Sequence, residues 1–118
     1  MLANRKKAER AGVVEPVLSE ADKAANTEEV DAFFQSRFEE GFRDGIGGNT
    51  DDALATAMPR GFEPSSIRVR LQIWHGKHDR FVHFSHGRWL AAGIPKAEAH
   101  LEGDEGHISM FVNRVSEV

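Results

Sequence analysis

The chain has 118 residues, enough for one domain that buries about two-thirds of the surface its unfolded form exposes. The hydrophobic content of 40%, the charged content of 29% and the net charge of −4 are ordinary for a globular protein, and the negative charge disfavours nucleic acid and anionic membranes as partners. Cysteine is absent, which excludes disulfides, thiol nucleophiles and cysteine-ligated metal centres. Since no apolar run is long enough for a signal peptide or a membrane span, we expect a cytoplasmic protein.

Residues 1–60 predict a helical segment. Three short helices are expected in it: one over residues 2–10, one that begins after Ser19, and one that Asn49 or Thr50 caps and that runs through Met58. Asp22 stands three residues after Ser19, which makes a weak capping box. Helical structure therefore dominates the first half of the prediction.

A fourth helix, rich in phenylalanine, is predicted after Asn26. One of its faces carries Val30 and four aromatic residues, and the other is polar; the aromatic residues are Phe33, Phe34, Phe38 and Phe42. Aromatic residues at this spacing suit either a packed core or the lining of a substrate pocket. Core packing is the first interpretation and the pocket is the alternative.

Residues 61–118 predict a strand, a helix, a second strand and a final helix. Apolar residues alternate with polar ones over 67–73 and again over 97–101, and Ser85 is expected to cap the helix between these strands. A connection this short favours a parallel pair joined by a crossover helix, which places the chain in the α/β class. Arg68, Arg70 and Gln72 make one face of the first strand polar, so that strand is expected to be half exposed or at a sheet edge.

Two short motifs follow the two predicted strands. His75-Gly76-Lys77-His78-Asp79 comes after the first, and Gly106-His107 comes after the second, with His107 lying 28 residues beyond Asp79. This arrangement resembles the C-terminal portion of the α/β-hydrolase family, in which an acid follows a late strand and a histidine follows the last one. The resemblance implies that Asp79 is the acid and His107 the base of a catalytic triad, and that both lie within hydrogen-bond range at the same end of adjacent parallel strands.

The same resemblance extends to the rest of the chain. It implies a short parallel sheet in a βαβα unit over 61–118, preceded by cap-like helices in 1–60 in which Phe33, Phe34, Phe38 and Phe42 could line an acyl pocket. The Gly-x-Ser-x-Gly nucleophile motif of the family does not occur in this sequence. We therefore expect a C-terminal fragment of an enzyme that hydrolyses ester or amide acyl bonds. The fragment should be inactive alone and should need no cofactor. Once the missing half completes the enzyme, the substrate should be a small acyl molecule.

Other interpretations and partners follow from the histidines and from the short sheet. His75, His78, His83 and His86 fall within twelve residues and could bind a metal with Asp79, although their spacing matches no zinc motif and they also suit loop and surface positions. The alternative function is a non-catalytic binding or oligomerisation domain, in which the histidine cluster could bind a metal. Because a two-stranded sheet leaves open edges, we expect self-association or a complementing hydrolase half, with the strand 69–74 or the helix 33–42 at the contact.

Overall fold

The computed structural model describes residues 17–118. Within them, three helices come first, namely α1 (Glu20–Ala25), α2 (Glu28–Gly41) and α3 (Gly47–Ala57). Strand β1 (Leu71–Gly76), helix α4 (Phe84–Gly93), strand β2 (Ala97–Glu102) and helix α5 (His107–Arg114) follow. Short 3₁₀ turns occupy Pro64–Ser66 and Val115–Glu117. The helix expected over residues 2–10 lies outside the described part of the chain.

The two strands form a parallel pair, as the sequence predicted. Leu71 is opposite Ala97 at the start of the pair and Gly76 is opposite Glu102 at its end. Helix α4 connects the strands and packs against both of them, while α5 packs against β1. The described residues are thus of the mixed α/β class, with a two-stranded parallel sheet.

The two helices cover opposite faces of the sheet. Gly87 of α4 touches the ring of His75, whereas Arg114 of α5 approaches the carboxylate of Glu102, whose partner across the strands is Gly76. Side chains of successive strand residues point to opposite faces, so positions 75 and 76 face different sides. A three-layer arrangement follows, with the sheet between α4 and α5.

Strand β1 begins at Leu71, four residues later than the alternation from Ile67 predicted. Its partner strand explains this, because Ala97 is opposite Leu71 and the chain before Ala97 turns back to α4, with the amide of Ala97 donating to the carbonyl of Ile94 at 3.2 Å. The residues before Leu71 therefore have no strand to pair with in the described part of the chain. The polar face is confirmed at Gln72, which is exposed.

The start of each helix shows which side chains cap it. Ser19 caps α1 as predicted, with its hydroxyl oxygen accepting from the amide of Asp22 at 3.2 Å. The expectation that Asn49 or Thr50 caps α3 is wrong, because α3 already begins at Gly47 and Thr50 donates from Oγ1 to the carbonyl of Ile46.

Helix α4 also begins earlier than predicted. Ser85 lies in its first turn, and the cap is His83, whose Nδ1 accepts from the amide of Ser85 at 3.2 Å. A histidine with a free ring nitrogen can serve as the acceptor that a serine hydroxyl would otherwise supply. The expectation that Ser85 is the cap is wrong for this reason.

The apolar core of the described residues is small. Only Leu18, Ala25, Ile94 and Met110 are buried apolar residues, whereas many large apolar side chains are exposed. The radius of gyration is 16.5 Å, larger than the roughly 13 Å typical of a compact domain of this length. Helices α2 and α3 bury no residue, so the core-packing interpretation of the Phe-rich helix is wrong.

Contacts between the helical segment and the strand-containing segment are made chiefly by α1, which packs against α5. No helix in the described residues combines the length and the apolar character needed to cross a bilayer.

Candidate acid–base site

The loops that follow β1 and β2 are joined at the carboxyl end of the sheet. The amide of Lys77 donates to the carbonyl of Glu102 at 2.8 Å, and the amide of His78 donates to the carbonyl of Glu105 at 2.9 Å. A Cβ atom on Gly76 would collide with the carbonyl oxygens of Glu105 and Gly106. Glycine at position 76 therefore lets the two loops approach closely enough to place Asp79 beside His107.

Asp79 uses its two carboxylate oxygens for different purposes. Oδ1 accepts hydrogen bonds from the amides of Phe81 at 2.8 Å and Val82 at 2.9 Å, which holds the loop in a tight turn. Oδ2 lies 2.8 Å from Nδ1 of His107. Because the side chain is only 6% exposed, its orientation is set by these contacts more than by water.

The hydrogen bond to Asp79 determines which nitrogen of His107 carries the proton. An ionised carboxylate can only accept, so Nδ1 donates and the neutral imidazole keeps its free electron pair on Nε2. The side chain is 47% exposed and its ring lies 4.9 Å from that of Phe81. His107 can therefore accept a proton at Nε2 from a group that approaches from solvent.

This geometry confirms the predicted placement of the pair. Asp79 and His107 follow adjacent parallel strands, lie at the same end of them and are within hydrogen-bond distance. Their catalytic roles stay predictions.

His75 belongs to the same group of side chains, although the sequence suggested a loop residue. It is the fifth residue of β1, and its Nε2 lies 2.9 Å from the carbonyl oxygen of Val82 and 3.4 Å from Oδ2 of Asp79. Since a carbonyl only accepts, Nε2 of His75 carries a proton and supports the loop that presents Asp79. The alternation of Leu71 and Ile73 continues to position 75, and this signal could have placed His75 inward.

The ring of His75 is confined by helix α4. Its side chain is 11% exposed, the ring of Phe84 meets it edge-on at 5.7 Å, and Gly87 lies directly against it. A Cβ atom on Gly87 would collide with the imidazole. The packing of α4 on the sheet therefore contributes to the position of the loop that carries Asp79.

A cleft of about 610 Å³ opens beside the pair and is within the range of small-molecule sites. Asp79 and His107 line it together with mostly apolar side chains, including Trp74, Met110 and Phe111. A mainly apolar wall beside a carboxylate–imidazole pair suits a ligand of low polarity.

The four phenylalanines proposed for substrate binding do not line this cleft. Phe33 and Phe34 contact Phe111 of the cleft wall, with ring centroids 6.5 and 6.3 Å apart. Phe38 and Phe42 stack on each other at 6.2 Å and are largely exposed. The structure thus brings half of the predicted set next to the cleft, through Phe111, and leaves the other half on the surface of α2.

The histidine cluster does not form a metal site in the described residues. No group of three or more His, Asp or Glu side chains within 17–118 is arranged to hold a metal ion. His83 is engaged as the cap of α4, and its Nδ1 also lies 2.8 Å from the hydroxyl of Ser85. The metal-binding interpretation is not supported by this arrangement.

The serines of the described chain are occupied elsewhere or lie apart from the pair. Ser36 and Ser66 donate to carbonyl oxygens three residues earlier in the chain, and Ser109 is buried and accepts from the amide of Gly106. Within residues 17–118 no serine is hydrogen-bonded to His107. Within this described part of the chain, no serine hydroxyl is thus positioned beside the Asp79–His107 pair.

Comparison of the chain with protein-family models, with curated proteins and with solved structures finds no match in any of the three.

Proposed function

We propose that this chain is the C-terminal portion of an α/β-hydrolase and supplies the acid and the base for hydrolysis of an ester or amide acyl bond. The observation that carries the proposal is the 2.8 Å contact between Nδ1 of His107 and Oδ2 of Asp79, in a cleft with apolar walls. The nucleophile and the oxyanion hole come from residues that complete this chain, either in a longer enzyme or in a partner subunit.

The chemistry follows from the protonation states of the pair. His107 takes the proton of a serine hydroxyl at Nε2 while the serine oxygen attacks the acyl carbon, and Asp79 stabilises the imidazolium that forms. His107 then gives the proton to the leaving alcohol or amine. Water repeats the attack on the acyl-enzyme with His107 again as the base, which releases the carboxylic acid and restores the serine.

The unpaired edge of the sheet in the described residues supports the presence of a second part of the enzyme that pairs with it. Strand β1 pairs with β2 alone in this part of the chain, so its other edge has free backbone donors and acceptors. An added parallel strand on that edge would extend the sheet beside Asp79. In an open α/β sheet the ligand site lies at the carboxyl ends of such strands.

The base function can be tested on the chain as it stands, with p-nitrophenyl acetate as substrate. Since the isolated chain is expected to lack a nucleophile, we expect no serine-dependent turnover, only a weak background in which His107 acts as a general base on water and which falls by about tenfold or more in His107→Ala. His86→Ala is the matched control, because His86 is an exposed histidine of α4 away from the cleft. Equal rates for the two variants would refute a base role for His107.

A serine-directed phosphonate probe tests for a nucleophile. We expect no stoichiometric labelling of any serine, because none is positioned beside His107 in the described residues. Labelling of one serine, together with ester turnover abolished in His107→Ala, would show that the chain contains its own nucleophile. An in-frame Gly-x-Ser-x-Gly encoded upstream of Met1 would identify a longer enzyme rather than a two-subunit one.

The alternative function, a non-catalytic binding or oligomerisation domain, is favoured by one observation. Helices α2 and α3 bury no residue and expose large apolar side chains such as Phe38, Ile46 and Leu54. Exposed apolar side chains in such number are typical of contact with another protein surface. The ester assay separates the two functions, since an association domain has no reason to depend on His107.

A further inference from the structure

Helix α5 begins at His107 without a capping side chain of its own. Its N-cap is Gly106, which has no side chain, while the first amides of a helix need acceptors from outside the helix. An N-cap is normally serine, threonine, aspartate or asparagine. The amides of Ile108 and Ser109 must therefore be satisfied by another part of the chain.

Asp22 of helix α1 satisfies them. Its Oδ1 accepts from the amide of Ile108 at 2.7 Å and from the amide of Ser109 at 3.0 Å, although the partners are 86 and 87 positions apart in the chain. Its Oδ2 accepts from the hydroxyl of Ser19 at 2.9 Å. The carboxylate thus performs, from a distant helix, the capping that Gly106 cannot perform.

Asp22 is buried and packs closely against Gly106. Asp22 is 0% exposed, and a Cβ atom on Gly106 would collide with its carboxylate and with Oγ of Ser19. Glycine at position 106 is therefore required by space rather than by an unusual backbone angle, because the φ of Gly106 is −102°. The Gly106-His107 motif and Asp22 fit together as one unit.

Hydrogen-bond donors around Asp22 stabilise the charged form of its carboxylate. Burial acts to raise the pKa of Asp22, but the Ser19 hydroxyl and three backbone amides at the start of α5 lower it below its usual value. Negative charge at a helix N-terminus is also favoured by the helix dipole. Asp22 is thus a charged anchor at the start of the helix that carries the candidate base.

We propose that Asp22 is a positioning residue for His107, which it holds against Asp79 by capping the helix that begins at His107. This inference rests on the proposed function only for its catalytic consequence. The backbone of His107 lies between Gly106, packed on the Asp22 carboxylate, and Ile108, bonded to it. The 2.8 Å contact between His107 and Asp79 depends on the position of that backbone. Displacements of about 1 Å in a catalytic group can reduce rates roughly a hundredfold.

The test compares Asp22→Ala and Asp22→Asn with Glu20→Ala. Glu20 is on the same helix, but its side chain is exposed and, within residues 17–118, its polar partner is Lys23. Asparagine keeps one oxygen acceptor for the amides of α5, so we expect an intermediate effect from Asp22→Asn, a large effect from Asp22→Ala and none from Glu20→Ala. The measured quantities are the downfield NMR signal of the His107 Nδ1 proton, identified by its absence in His107→Ala, and the ester rate that depends on His107.

In Asp22→Ala we expect the downfield proton signal to be lost and the His107-dependent rate to fall by about tenfold or more, with helical circular dichroism retained. A purely structural role would lower the melting temperature while leaving the proton signal and the rate per folded molecule unchanged, and that result would overturn the proposal. The proton signal is read without any substrate. If the proposed function fails because His107→Ala hydrolyses esters like the wild type, the signal still decides whether Asp22 positions His107.

A second pair of variants covers the case in which Asp22→Ala does not fold. Gly106→Ala places a methyl group against the Asp22 carboxylate, whereas Gly103→Ala, in the same loop, meets nothing within 4 Å. We expect Gly106→Ala to weaken the His107 proton signal and Gly103→Ala to preserve it. Preserved signals in both Gly106→Ala and Asp22→Asn would refute the positioning role.

Discussion

Nδ1 of His107 and Oδ2 of Asp79 lie 2.8 Å apart, although 28 residues separate the two in the chain. The parallel strands bring their loops to one end of the sheet, and Gly76 allows the loops to touch. Asp79 is nearly buried and His107 is half exposed, so the carboxylate is shielded from water and the imidazole is accessible to it. This difference in exposure suits the proposed roles, in which Asp79 orients His107 and His107 meets the substrate.

Asp79→Asn tests the orientation of His107. The asparagine amide group can donate to Nδ1, which would move the imidazole proton to Nε2 and remove the free electron pair from the accessible side. We expect the His107-dependent ester rate to fall by about tenfold or more, and the stability measured by urea unfolding to fall by about 1–3 kcal/mol because the Phe81 and Val82 amides lose a charged acceptor. Asp104→Asn, at an exposed position in the loop before Gly106, should change neither quantity.

Gly87→Ala tests the packing of α4 against His75. The added methyl group would collide with the imidazole, so we expect a loss of about 1–3 kcal/mol in the free energy of unfolding. Gly93→Ala is the control on the same helix, because nothing lies within 4 Å of its added Cβ, and alanine in a helix is neutral or stabilising by up to about 1 kcal/mol. Urea denaturation of the two variants measures the difference. Equal stabilities would show that His75 is not confined by α4.

The stability of the protein should depend on pH through Asp22. Its pKa is lowered in the folded protein relative to the value of 3.8 taken as its reference. A depressed folded pKa means that the ionised carboxylate stabilises the fold at pH values above 3.8, and that this contribution is lost as the pH falls from there through the folded pKa. We expect the stability difference between the wild type and Asp22→Asn to be constant from pH 7 to pH 5 and to shrink below about pH 4. Urea unfolding at each pH measures it, and a difference that grows on acidification would contradict the assignment.

Self-association should depend on the exposed phenylalanines of α2. Phe38 is 56% exposed and stacks on Phe42, so together they form an apolar patch without cover in the described residues. We expect the wild type to form dimers or larger assemblies in light-scattering measurements, and Phe38→Ser with Phe42→Ser to shift the equilibrium toward monomer. Gln35→Ala, at an exposed polar position of the same helix, is the control. A monomeric wild type over a wide concentration range would argue against this interface.

The residue pattern predicted the βαβ unit and its parallel pairing, because alternation and crossover length are local signals. The resemblance to the α/β-hydrolase family, carried by the residues that follow each strand, implied the meeting of Asp79 with His107. The capping box at Ser19 was equally local. Strand and helix ends were less accurate, since β1 starts where Ala97 offers a partner to Leu71 rather than where the alternation starts.

Tertiary structure alone decided how the pair is supported. Asp22 has the spacing of a local capping residue, yet its carboxylate also caps a helix 86 residues away, and no pattern within α1 could indicate that second contact. The confinement of His75 by Gly87 and the exposure of Phe38 likewise depend on which elements pack together. Periodicity identifies a helix face, but burial of that face depends on distant parts of the chain that cover it or leave it in water.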